Sequence, residues 1–398
     1  MRRVFHPLLV CAYLVVAGLP VFAMLAEIEP RPLEGAFPPA PSPTLTLAGV
    51  RSEQYQTQLV QWFEGSLGLR ALSVRLDNTL LYHVFGETKF DSHVRIGSDD
   101  FLFERDDITY YNRSGAQLPA ARDFDKLADD IARLQAVLRA RGKSLVPLFV
   151  PSKTTFYPDK VPPLWTRDIG QPRPSTERLY LTMKRALDAR GVVYVDGIEL
   201  LLGSAAPRDL LWGRQARHFS AYAGCLLVHA ALARHAELTR TPPLDYPCVP
   251  ELGRAHRAHP DVDLFRLLNA WRADRDWTGR NVDHTPVPNR PAPHAPRTMW
   301  IATSFGWVMT DEGARSGRLP ETHLAYYNGT LFDMGRGYSY PIKAFDDTWN
   351  AAFPTRDLYV LELFETYLAP SNYFIADAVG ALLTAFEPAP GARSAPPR

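Results

Sequence analysis

At 398 residues the chain has room for one large domain or two smaller ones, with material for a sizeable core. Hydrophobic residues make up 46% and charged residues 22%, which excludes an intrinsically disordered chain. The net charge is +1, and the arginines are spread along the chain, often beside acids, so there is no basic field to hold nucleic acid.

Met1-Arg2-Arg3 precedes an uncharged run from Leu8 to Ala26. As a helix at ~1.5 Å per residue this run approaches the ~30 Å of a bilayer core. The arginines lie before it, so the N-terminus stays inside and the rest is exported. Residues 1–26 therefore read as a signal anchor, giving a single-pass inner-membrane protein with its soluble part in the periplasm. A cleaved signal peptide, with Val21-Phe22-Ala23 as the site, is the alternative. Residues 27–52 are Pro-rich and read as a semi-rigid linker. Residues 53–386 read as one domain, and 387–398 as a disordered tail.

Within that domain, apolar residues at helical spacing run from Glu53 to Leu81, broken at Gly68. Val94 to Phe103 carries two short apolar runs around Gly97-Ser98-Asp99-Asp100 and reads as a hairpin. Phe124, Leu127, Ile131, Leu134 and Leu138 form one helix face that ends at Gly142. Ser144–Val150 is nearly all apolar, as a strand covered on both faces must be. A helix over Thr176–Arg190, a strand over Val192–Val195 and a helix over Ala221–Ala236 follow. Residues 241–297 read as a Pro-rich excursion with one helix near Leu264–Arg272. A strand at Thr298–Thr303, a helix at Phe305–Ala314, a strand at Asp357–Leu363 and a helix at Tyr373–Phe386 complete an alternating pattern. That pattern predicts an α/β fold with a doubly wound, mostly parallel sheet.

Ser304 follows a buried strand and precedes a helix, so it points out of the carboxyl edge of the sheet, where the helix N-terminus can meet a developing oxyanion. The plain alternative is a helix cap. His218 lies in the polar loop Arg214-Gln215-Ala216-Arg217 before the next helix, and a histidine is the usual base for a serine nucleophile. Glu362 and Glu365 follow the last apolar strand near the same edge, where they either orient a base or a substrate hydroxyl or serve as helix N-terminal charge. His256, His259, His284 and His294 lie in the Arg/Pro-rich excursion without a compelling third ligand, so no metal is expected. In an oxidising compartment Cys225 and Cys248 either form one disulfide or stand as a buried and a loop thiol.

Taken in order, several segments resemble the AlgJ/AlgX-type alginate O-acetyltransferase family of the SGNH-hydrolase-like superfamily. They are Glu29 to Leu33, the hairpin ending Leu102-Phe103, Val150-Pro151-Ser152-Lys153 before Tyr157-Pro158-Asp159, His218-Phe219-Ser220, Ala302-Thr303-Ser304-Phe305, and Val360 to Glu365. The resemblance implies an SGNH-hydrolase-like (flavodoxin-like) sheet, Ser304 as acyl-accepting nucleophile and His218 as base. It implies a polysaccharide acceptor and, as acyl donor, a polytopic membrane-bound O-acyltransferase, with no cofactor. The family places an Asp two positions before the histidine, where this chain has Ala216; either another acid orients the ring, with Asp209 and Glu362 as candidates, or the site is a Ser-His dyad, or activity is reduced or lost. The expected activity is acyl transfer to an exported polysaccharide. An esterase with the same site, or a catalytically impaired scaffold subunit of a polysaccharide modification or export complex, are the alternatives.

Overall fold

The computed structural model describes residues 2–26, 28, 31–35, 41–89, 92–111, 122–161, 179–253, 260–271, 281–284, 294–368 and 373–387. The chain forms two compact units, Met1–Ile96 with Leu264–Thr278, and Gly97–Asp263 with Gly279–Arg398.

The first unit is helical, with helices Arg2–Leu25, Leu47–Arg51, Gln54–Ser66 and Arg70–Leu80. A side chain at Gly68 would lie 2.4 Å from the Met24 nitrogen, so glycine lets the turn approach the first helix. Arg75 is buried and donates to the carbonyls of Arg31 (2.7 Å) and Pro32 (2.6 Å), which ties down part of the Pro-rich stretch. Asn78 donates to the Leu268 carbonyl at 2.6 Å, and Arg266 pairs with Glu34, so part of the Pro-rich excursion belongs to this unit. No helix among the described residues is long and apolar enough to cross a membrane.

The strands in chain order are β1 (Val94–Ile96), β2 (Leu102–Glu104), β3 (Ser144–Val150), β4 (Val195–Asp196), β5 (Pro250–Gly253), β6 (Asn281–His284), β7 (Thr298–Ala302), β8 (Thr322–Tyr326), β9 (Thr330–Asp333), β10 (Tyr338–Pro341) and β11 (Leu358–Phe364). The second unit is built on a seven-stranded sheet of order β10-β9-β8-β7-β11-β3-β4. From β8 to β4 the pairs are parallel, while β9 and β10 add an antiparallel edge. Every residue of β3 and β11 is buried, as their apolar composition predicts. Alternate residues feed two cores. Leu145, Phe149, Met299, Ile301, Tyr359 and Leu361 pack on one face with helices Arg122–Arg139, Leu179–Asp188 and Tyr373–Phe386. Val146, Val150, Trp300, Ala302, Val360 and Phe364 pack on the other with helices Ala221–Thr239 and Phe305–Arg315. The result is a mixed, mostly parallel sheet flanked by helices.

Two corrections follow. The parallel strands do not take the flavodoxin-like order 2-1-3-4-5. The last strand, β11, lies between β3 and β7, because the longest strands, buried along their whole length, take places with neighbours on both sides. The stretch holding β8, β9 and β10 carries three strands that the periodicity did not bring out. Tyr327 and Asn328, at φ 46° and 52°, are the central residues of the turn between β8 and β9, which the Gly329 N–H closes by donating to the Tyr326 carbonyl at 3.0 Å.

Candidate active site

The carboxyl ends of β3, β7, β8 and β11 lie along one sheet edge. Ser304 stands there in the turn between β7 and helix Phe305–Arg315. Thr303, just before it, donates its N–H to Glu362 Oε2 (3.2 Å) and its hydroxyl to Glu362 Oε1 (2.5 Å). Glu362 is fully buried, and that burial pushes its carboxyl up to about 7 against the pull of the two Thr303 bonds. The carboxylate therefore pins the turn from the neighbouring strand. Glu365, just after β11, accepts the Ser152 N–H at 2.6 Å, tying the segment after β3 to the same edge.

The histidine arrives from the opposite side. Ser220 caps helix Ala221–Thr239 by accepting the Ala223 N–H at 3.2 Å, and its own hydroxyl donates to the Leu210 carbonyl at 2.6 Å. Phe219 is buried against Trp212 and Phe305, and the His218 ring meets Phe305 edge-on at 4.7 Å. Phe305 directly follows Ser304, so one aromatic cluster carries both the serine turn and the histidine loop. His218 Nε2 lies 2.8 Å from Ser304 Oγ. His218 Nδ1 lies 2.5 Å from Asp263 Oδ2, and the other Asp263 oxygen accepts the Arg217 N–H at 2.5 Å.

Neither acid expected from the sequence contacts His218. Asp209 is exposed on the short helix Arg208–Leu211, and Glu362 is committed to Thr303. Asp263 takes the place instead, at the first position of helix Asp263–Leu267. Its sequence signal, an acid opening a predicted helix, is the ordinary signature of N-terminal charge and cannot reveal a contact with a loop 45 positions away. Arg217, beside the histidine, pairs with Asp107 and Glu104 and lies over the Phe305 and Phe364 rings at 5.8 and 5.4 Å. Tyr327, after β8, also reaches the serine: burial pushes its phenol up, and a hydrogen bond with Ser304 counters this. Tyr327 has φ 46°, which a bulky residue rarely adopts, and its N–H donates to the Ala302 carbonyl at 2.9 Å. In the helix after Ser304 the Gly306 and Trp307 N–H groups already donate to the Thr303 and Ser304 carbonyls.

Cys225 and Cys248 form a disulfide with a Cα separation of 5.7 Å. His256 and His259 lie outside the described residues, His284 is on β6 and His294 is in a turn. Among the described residues no group of three metal-ligating side chains gathers.

Residues 94–274 match the family model described as SGNH hydrolase-like domain, acetyltransferase AlgX. The resemblance to the AlgJ/AlgX-type family is thereby shown. The AlgX-type segment includes His218 and Asp263 and ends before Ser304. Among solved structures, the chain overlaps the O-acetyltransferase domain of Pseudomonas putida AlgJ at 19% identity and a TM-score of 0.43, over 73% of this chain and 99% of that one. It overlaps Pseudomonas aeruginosa AlgX at 12% identity and a TM-score of 0.42, over 74% of this chain and 67% of that one. A DHHW family protein from Eubacterium siraeum overlaps at 11% identity and a TM-score of 0.38, over 71% of this chain and 94% of that one. At these identities and scores nothing about activity follows from the overlap. No curated protein matches the chain.

Proposed function

We propose that this protein is an extracytoplasmic O-acyltransferase that carries an acetyl or other small acyl group on Ser304 and passes it to an exported polysaccharide. The observation that carries the reading is the continuous Ser304–His218–Asp263 chain of hydrogen bonds, drawn from three distant segments at one sheet edge. The AlgX-type segment supports acyl transfer to a polysaccharide as its class.

In this mechanism Ser304 Oγ attacks the donor carbonyl while His218 Nε2 takes the hydroxyl proton. Asp263 keeps the remaining proton on Nδ1 and stabilises the imidazolium. The oxyanion forms beside the Ser304 N–H at the start of the helix, with the Phe305 N–H, which donates to Thr303 Oγ1 at 3.4 Å, next to it. His218 returns its proton to the leaving group. A sugar hydroxyl then gives its proton to His218 and attacks the acyl-serine, which breaks the acyl–Oγ bond and restores Ser304. Asp263 beside the His218 ring supports the enzymatic reading over that of a scaffold subunit.

Leu8–Ala26 is proposed as the membrane anchor. Leu9, Val10, Leu14, Val15 and Val16 are exposed in the first helix, an apolar surface suited to lipid. The Cys225–Cys248 disulfide supports an oxidising, periplasmic setting for the rest. The acyl donor is proposed to come through a polytopic membrane-bound O-acyltransferase.

The test is mass spectrometry of protein quenched during turnover of p-nitrophenyl acetate, with and without an acceptor oligosaccharide. The expected result is an acetyl group on the Ser304 peptide, absent from Ser304→Ala, and acetylated sugar in the product. Acetate alone in the presence of acceptor assigns an esterase; no label at Ser304 ends the enzymatic reading.

A further inference from the structure

Lys153 is the first residue of the short helix after β3 and is only 1% exposed. Lysine is almost never buried to this degree without a carboxylate partner. Here its hydrogen bonds go to main-chain carbonyls. Nζ donates to the Ala216 oxygen at 2.9 Å and to the Arg214 oxygen. The Phe101 and Phe103 rings stand 5.6 Å from the ammonium, and the nearby Asp263, Asp261 and Asp107 carboxylates favour its charge without a hydrogen bond to it. Both carbonyls belong to the loop that ends in His218. That loop has no acid of its own two positions before the histidine, since Ala216 fills the place and is fully buried. Asp263 grips the loop from the other side, through the Arg217 N–H and the ring. Lys153 is itself fixed to the sheet, because the neighbouring Ser152 N–H is held by Glu365, the residue just after β11.

We propose that Lys153 is a positioning residue for the base: by holding the Arg214 and Ala216 carbonyls it fixes the loop so that His218 lies between Asp263 and Ser304. The inference rests on the catalytic reading of Ser304 and His218 only for its rate effect; the geometry it predicts can be read without turnover. Hydrogen bonds to two carbonyls of one loop leave it little freedom, and a misplacement of about 1 Å costs a base on the order of 10²-fold in rate.

Lys153→Met keeps the volume and removes the charge and all three donors. The expected result is a roughly 10²-fold fall in kcat for acyl transfer, with KM for the acyl donor within about twofold and an unchanged far-UV circular dichroism spectrum. The low-field proton resonance of His218 Nδ1–H, assigned by its loss in His218→Ala, should move upfield or vanish. Lys153→Gln is the second variant, for use also if Lys153→Met does not fold. Its shorter amide still donates to a carbonyl, so its rate and resonance should fall between those of the native protein and the methionine variant. An unchanged resonance in Lys153→Met, or in Lys153→Gln where that alone folds, overturns the proposal whatever the rate does. If the resonance moves but no acyl transfer or hydrolysis is found even in the native protein, the positioning role stands and the catalytic reading falls.

Discussion

The tautomer of His218 is decided by one carboxylate. Asp263 Oδ2 sits 2.5 Å from Nδ1, which places the ring proton there and leaves Nε2 free to accept from Ser304. An amide at 263 offers a donor as readily as an acceptor and releases this constraint. In serine proteases the corresponding change lowers turnover about 10⁴-fold. Asp263→Asn is therefore expected to lose about 10³- to 10⁴-fold in kcat, while Asp209→Asn, on the exposed helix, stays within about twofold. Steady-state kinetics on a chromogenic acetyl ester compares the two. Equal losses in both variants, or none in either, would remove Asp263 from the site. The Asp263 role was not legible in the sequence, because the contact depends on a fold that brings residue 263 back to residue 218. The Ser304 and His218 contexts were legible, because a buried strand, a small-residue turn and a helix start follow one another locally.

Among the elements, β11 joins the core to the site. Its Leu358, Val360 and Leu361 are fully buried, yet Glu362 stands among them and holds Thr303. Burial pushes this carboxyl up to about 7, from an ordinary value near 4.5. Between those values the folded protein binds more protons than the unfolded chain. Stability from this group is full below about 4.5 and is lost as pH rises through about 7. Glu104 titrates in the same range, also through burial, so the wild-type trend contains both groups. The comparison with Glu362→Gln isolates one of them. The loss of unfolding free energy between pH 5 and pH 8, measured by urea denaturation, should be smaller in the variant by about 2 kcal/mol. Parallel pH profiles for variant and wild type would show that Glu362 is ionised throughout. Apolar strands such as Ser144–Val150 were readable because both of their faces are covered. β8 to β10 were not, since they are short and carry no continuous apolar run: β8 and β9 mix buried with partly covered positions, and β10 is exposed along its whole length.

For the molecule as a whole, the disulfide between Cys225 and Cys248 closes a separation of 23 positions. A loop of that size constrains the unfolded chain by about 3 kcal/mol in the chain-entropy account. Reducing the protein, or replacing both cysteines by serine, should lower the urea unfolding free energy by about that amount, and the two treatments should agree. A reduced protein as stable as the oxidised one would remove the disulfide from the stability of the fold. The sequence by itself determined the α/β class, the covered strands, the helices that flank them and the resemblance to the AlgJ/AlgX-type family, because each rests on local periodicity or on short motifs in order. Only the tertiary structure decided that β11 enters between β3 and β7, that part of the Pro-rich excursion joins the N-terminal unit, and that Asp263 reaches His218. These are contacts between residues far apart in the chain, chosen by which buried faces pack together, and no local pattern records them.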